Sequence, residues 1–225
     1  MSTDEMIAQC VLFFVAAYHT TTTTLSLACY LLALNPTIQE RLYAEIESCL
    51  EKLKNDNQND QTVAFDNEEN ELKLVTFDSL PQFKLLDAVV RETLRIFPPA
   101  AVERRASRDI RLETSSGLSL ELKKDDIVHI PTYALHHDSQ YFDNPESFDP
   151  DRFLDSRSIT QHKYSFIPFG SGPRACVAEN LAIFEAKVAL LTVVHHFQLS
   201  KCDLTKVRDN FSLLYFLTNA QYCCN

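Results

Sequence analysis

The chain has 225 residues, 45% of them hydrophobic and 23% charged, a composition that excludes wholesale disorder and leaves enough apolar material for a sizeable core. Lys plus Arg total 21 against 31 Asp plus Glu, a net charge of −10 that supplies no counterion-release surface and so excludes a nucleic-acid partner. The 7 cysteines are odd in number and form no Cys-x-x-Cys pair, which excludes a zinc ribbon or a thioredoxin-type redox pair and sets a reducing compartment as the default. Adjacent Cys223 and Cys224 have no nearby histidine and are assigned no specific role. Glycine is scarce, with 3 against 9 prolines, and Gly170 and Gly172 both lie within six positions of Cys176. Glycine is most needed where a backbone turns tightly or approaches a ligand closely, so this clustering marks a site.

Met1 to Met6 is acidic where a signal peptide would carry a basic region, so no signal peptide is expected. Ile7 to Leu34 contains no charged residue and predicts a long helix ending near Asn35 and Pro36. It is long enough to cross a bilayer, but Gln9, His19, the run Thr20 to Thr24 and the lack of flanking basic residues favour a buried helix of a larger protein. In the next helix Ile38, Leu42, Ile46 and Leu50 share one face. Residues 51–73 turn polar and acidic and read as a solvated insertion or loop. A third helix is expected from about Leu80 to Phe97, stopped by Pro98 and Pro99. Ile110, Leu112, Leu118, Leu120, Leu122, Val128 and Ile130 then alternate as in strands, with Ser115, Ser116 and Gly117 as a turn. Asp138 to Lys163 is irregular and long enough to invite a functional explanation. A last helix, Asn180 to Phe197, aligns Leu181, Phe184, Val188 and Leu191, and Leu213, Tyr215 and Leu217 suggest a short terminal hairpin.

The most informative stretch runs from Phe166 to Glu179. A single cysteine, Cys176, follows a glycine-bearing loop and precedes an amphipathic helix, so its sulfur lies near the positive helix end, a setting that favours the thiolate that ligates iron. Read from the residues alone, a buried cysteine in a tight turn is an equal alternative. With Phe169, Gly170, Gly172, Arg174 and Cys176 in this order and spacing, the stretch resembles the haem-binding loop of the cytochrome P450 family. The family's usual glycine two positions after the cysteine is Ala178 here. Glu92 and Arg95 resemble the family's Glu-x-x-Arg element, and their three-residue spacing puts both on one helical face. Arg152, in Phe148 to Phe153, resembles the arginine that completes a structural Glu-Arg-Arg network. Arg104 and Arg174 fall at the positions of arginines that meet haem propionates, Arg105 being the weaker alternative to Arg104.

The first helix resembles the family's I helix, and Ala16 to Thr21 its oxygen-activation motif. Thr20 matches the threonine that helps deliver protons to dioxygen, while Ala17 and His19 replace the usual glycine and acidic residue. The resemblance implies a mainly α fold with small β-sheets, the carboxy-terminal portion of the P450 fold from the I helix onward, as one partial domain over residues 1–225. It implies haem b with Cys176 as axial thiolate ligand, and a monooxygenase reaction that inserts one oxygen atom of O2 into an apolar substrate. Electrons would come from NADPH through cytochrome P450 reductase, with cytochrome b5 as an optional further partner. Likeness to microsomal members implies the cytoplasmic face of the endoplasmic reticulum membrane, although the usual amino-terminal anchor has no counterpart in this sequence. The alternative is a truncated, non-catalytic P450-like protein, at most a haem-binding or interaction module.

Overall fold

The computed structural model describes residues 2–57, 72–114, 116–154, 162 and 164–205. Helix α1 spans Thr3–Leu34. Its start is fixed by a capping box in which the Ser2 hydroxyl accepts from the Glu5 N–H at 3.2 Å and the Glu5 carboxylate accepts from the Ser2 N–H at 2.7 Å. Helix α2, Pro36–Asn57, follows after the single cap residue Asn35 and begins on proline, whose missing N–H costs nothing at a first helical position. Of its expected stripe, Leu42, Ile46 and Leu50 are buried, and Ile38 is partly buried against the core. The helix extends to Asn57 with Leu53 buried, so the polar segment expected from residue 51 begins as ordered helix; 58–71 lie outside the described residues.

The helix expected over Leu80 to Phe97 is divided. A 3-10 turn, Leu80–Gln82, holds Pro81, Phe83 breaks the helical conformation at ψ 78°, and α3 runs Lys84–Ile96. The break is stabilised from a distance: the Glu45 carboxylate on α2 accepts from the Leu85 and Leu86 N–H groups at 2.7 and 3.0 Å, satisfying donors that a helix start leaves unpaired. Strands β1 (Val102–Arg105), β2 (Ile110–Glu113), β3 (Ser119–Leu122) and β4 (Ile127–Ile130) form two antiparallel pairs, with the β2–β3 hairpin inserted between β1 and β4. Val102 is opposite Ile130, and Ile110 is opposite Leu122. Gly117 turns the inner hairpin at φ +83°.

Short helix α4 (Thr132–His136) precedes the irregular stretch, α5 (Asp151–Leu154) lies within it, and α6 spans Glu179–His196. Helices α1, α2, α3 and α6 pack together around Leu27, Leu32, Leu42, Ile46, Leu86, Val89, Leu190 and Leu191. The buried face of α6 is Ala186, Lys187, Leu190, Leu191 and Val194; of the expected stripe, Leu191 is in the core, Phe184 and Val188 pack against it, and Leu181 is exposed. Leu213, Tyr215 and Leu217 lie outside the described residues. The result is a mainly helical fold with small antiparallel sheets.

A candidate haem-binding loop and its supports

Cys176 stands two residues before the cap of α6, on a loop that folds on its own main chain. The Gly170 N–H donates to the Ile167 carbonyl at 3.0 Å, the Ala175 N–H to the Gly172 carbonyl at 3.0 Å, and the Cys176 N–H to the Phe169 carbonyl at 2.9 Å. Gly170 and Gly172 sit at φ +73° and +80°, the left-handed region in which a side chain is strained. Conformation, rather than crowding within the chain, is what demands glycine: a Cβ would meet only Val102 at 3.9 Å from Gly170 and nothing within 4 Å of Gly172. The Cys176 side chain is exposed.

Behind the loop lies a buried charge network. The Glu92 carboxylate, fully inside, accepts from Arg95 Nε at 2.7 Å, Arg95 Nη2 at 2.9 Å, Arg152 Nε at 3.1 Å and the Asp149 N–H at 2.9 Å. The two guanidiniums spend further donors on carbonyls, Arg95 on His136 and Ser147, and Arg152 on Asp143. A planar donor fork suits this task, because α3 can thereby hold 136–152, an irregular stretch with little regular hydrogen bonding of its own. Glu92, Arg95 and Arg152 are thus brought together, Glu92 and Arg95 on one helical face and Arg152 from the irregular stretch.

Two arginines flank the loop. Arg104 Nη2 donates to the Arg174 carbonyl at 3.4 Å and Nη1 to the Glu103 carbonyl at 2.7 Å. Arg105 points elsewhere, 3.9 Å from Asp125 on the exposed side of the sheet. Arg104 also lines a cavity of about 370 Å³ with Val102, Ile167, Ser171 and Gly172.

A family model described as cytochrome P450 matches residues 1–222. The chain belongs to the cytochrome P450 family. It is 38% identical over 205 residues to cytochrome P450 9e2 of Blattella germanica, covering 91% of this chain and 35% of that relative. It is 36% identical over 208 residues to mouse cytochrome P450 3A13, covering 92% and 37%, and 34% identical over 222 residues to the probable cytochrome P450 6a13 of Drosophila melanogaster, covering 98% and 41%. The chain therefore spans between a third and about two fifths of the length of these relatives.

On the P450 helix that carries the threonine run, Thr20 is half-buried and His19 exposed. The Thr20 hydroxyl donates to the Ala16 carbonyl at 2.8 Å, within an α1 that runs unbroken from Thr3 to Leu34. Thr22 and Thr24 donate likewise to Tyr18 and Thr20, so the helix itself satisfies these hydroxyls and tolerates a polar run. With its hydroxyl so engaged in a regular helix, Thr20 Oγ1 offers lone pairs rather than its proton.

α1 is also, among the described residues, the helix long and apolar enough to cross a membrane by length and composition. Its second half is core, with Leu27, Ala28, Leu31 and Leu32 buried, whereas Met6, Val11, Phe13, Phe14 and Tyr18 are exposed.

No group of three or more His, Cys, Asp or Glu residues able to hold a metal ion occurs among the described residues. The exposed Cys176 can supply one thiolate, a donor suited to an iron whose other ligands come with a bound group. Val177 and Leu181, one and five residues after the cysteine, are exposed, as are Arg104 and Arg174, so apolar and cationic side chains suited to a flat apolar group with two carboxylates are available at the loop.

Sequence reasoning did not single out His136 or Lys187. His136 is fully buried, its Nδ1 3.2 Å from the Arg95 carbonyl and its Nε2 3.0 Å from the Ile167 N–H. Burial pushes its imidazole down to about 4, and the Arg95 and His137 charges act in the same direction against its hydrogen bond to the Arg95 carbonyl. Lys187, also buried, donates to Asp87 at 3.1 Å. Burial would raise the Asp87 carboxyl, but Arg91 and Lys187 outweigh it and hold the group below the usual carboxylate value. A lysine on the inward face of a predicted helix was the available signal for Lys187; His136 had none in its local pattern.

Proposed function

We propose that this chain carries the haem-thiolate half of a cytochrome P450 monooxygenase acting on an apolar organic substrate. The observation that carries the reading is the cysteine loop: Cys176 N–H on the Phe169 carbonyl, two glycines in the left-handed region and Arg104 bonded across to Arg174. When bound, haem b supplies reduction of O2 and transfer of one oxygen atom to substrate, with electrons from NADPH through cytochrome P450 reductase and, as a further donor, cytochrome b5. Cys176 Sγ would hold the iron. Phe169, Gly170, Gly172 and Ala178 would shape the loop for close approach, and the side chains of Arg104 and Arg174 would pair with the carboxylates. Glu92, Arg95 and Arg152 keep the loop's support rigid and do not react.

Thr20 Oγ1 accepts from a water while its own hydroxyl donates to the Ala16 carbonyl, and the His19 ring stands exposed one residue earlier. This arrangement differs from delivery by a free threonine hydroxyl. The site of action we propose is the endoplasmic reticulum membrane, as in microsomal P450s, with residues 1–225 forming part of one P450 domain.

A second reading, a non-catalytic P450-like interaction module, is favoured by the exposed apolar surface of α1 and by Val177 and Leu181 beside the loop. Haem titration of the 225-residue chain, followed by Soret absorbance, separates the two. The first reading predicts saturable uptake of one haem, weakened by Cys176→Ala; a folded chain that takes up no haem supports the second.

A further inference from the structure

One side chain, His136, joins the cysteine loop to the Glu92 network. The Arg95 carbonyl can only accept, so His136 Nδ1, 3.2 Å away, must carry a proton. The Ile167 N–H can only donate, so Nε2, at 3.0 Å, must be bare. Geometry therefore fixes a single neutral tautomer. The His136 main-chain carbonyl accepts in turn from Arg95 Nη1 at 2.9 Å, and its ring lies 5.2 Å from that of Phe166 at 30°. Beyond Ile167 the path continues through main-chain bonds: its carbonyl takes the Gly170 N–H, and the Phe169 carbonyl takes the Cys176 N–H.

We infer that His136 is a positioning residue for Cys176, its Nδ1–H tautomer hanging the cysteine loop from the carboxy-terminal end of α3 by a single bond to the Ile167 N–H. Its importance for catalysis rests on the haem-loop reading, but the link itself belongs to the folded chain and stands or falls without haem. The charged and titratable groups around the ring are Arg95, with Glu92 and Arg152 behind it, and His137, the cap residue after α4. None supplies an anion next to the ring, so the imidazole stays neutral and its acceptor persists through neutral pH.

The test uses the two amides that resemble halves of the ring. Gln at this position can place a carbonyl oxygen near the Nε2 site, whereas Asn can donate near the Nδ1 site but does not reach Ile167. Amide hydrogen exchange of His136→Gln and His136→Asn, with His136→Phe as the ring-preserving control, is read at Ile167, Gly170 and Cys176 against Val89 in α3. The expected result is that Asn and Phe lower protection at Ile167 at least about tenfold, the loss of one buried hydrogen bond, while Gln restores it. Histidine-labelled two-bond 1H–15N spectra of the unmutated chain should report the Nδ1–H tautomer at neutral pH. Equal protection in the Gln and Asn variants, an Nε2–H tautomer, or a Phe variant with unmutated protection at Ile167 would each overturn the inference. Failure to bind haem with these results intact would count against the proposed function and leave the link standing.

Discussion

Removal of the Glu92 carboxylate should be far costlier than removal of a surface carboxylate that makes equally short bonds. Four N–H groups converge on Glu92, three from Arg95 and Arg152 and one from the Asp149 main chain, at 2.7 to 3.1 Å. Glu92→Ala leaves two buried guanidiniums without their shared anion and strips a partner from Asp149. Breaking a buried pair from one side costs about 3–5 kcal/mol, and with two cations losing one anion the expected loss lies near the upper end, about 5 kcal/mol. That is a large part of the roughly 5–15 kcal/mol a domain holds in total. The control is Asp151→Ala, which breaks the bidentate pair with Arg41 at 2.6 and 3.1 Å; both side chains are half exposed, and the expected cost is at most about 1 kcal/mol. Urea unfolding followed by far-ultraviolet circular dichroism measures both, with Glu92→Gln as the milder variant if Glu92→Ala does not fold. A Glu92→Gln or Glu92→Ala cost within about 1 kcal/mol of the Asp151→Ala cost would refute a network that anchors the irregular stretch.

Three further outcomes follow from the same geometry. His136 has a folded-state value of about 4 against an ordinary 6.5, so its contribution is complete above the ordinary value and is lost as pH falls through that window; the integrated loss is about 3 kcal/mol. Urea midpoints between pH 7 and 4 should carry that component in the unmutated chain, and His136→Gln should lack it. Gly172→Ala should cost about 1–2 kcal/mol from the φ of +80° alone, since nothing crowds the new methyl group; a thermal melt unchanged by the substitution would contradict this. Arg104→Ala should weaken haem uptake at least about tenfold and Arg105→Ala should not, because Arg104 alone of the pair reaches the cysteine loop; titration of each variant decides it.

The parts of this molecule that are periodic could be read directly. Ile38, Leu42, Ile46 and Leu50 share a face that any helix would bury, and the alternation from Ile110 to Ile130 matches three of the four short strands. The break before α3 was not visible, because its stabilising carboxylate, Glu45, is supplied by a different helix some forty residues earlier. The buried face of α6 was misjudged at Leu181, where the helix leaves the core beside the cysteine loop and shows an apolar side chain outward. Glu92, Arg95 and Arg152 could be grouped only through resemblance, since a charged residue in isolation looks like surface. His136 escaped because its partners are main-chain atoms 41 and 31 positions away, and a sequence does not say which backbone groups will lack a partner. The conformation of Thr20 was equally illegible, as its hydroxyl can turn either toward its own helix or away from it.

The central claim is that Cys176 is the thiolate ligand of a bound haem, and the carbon monoxide difference spectrum of the reduced, haem-reconstituted chain tests it most directly. The account predicts a thiolate-type Soret shift in the unmutated chain that Cys176→Ala abolishes while Cys202→Ala leaves it in place. A spectrum without that shift, or one that survives Cys176→Ala, would contradict it.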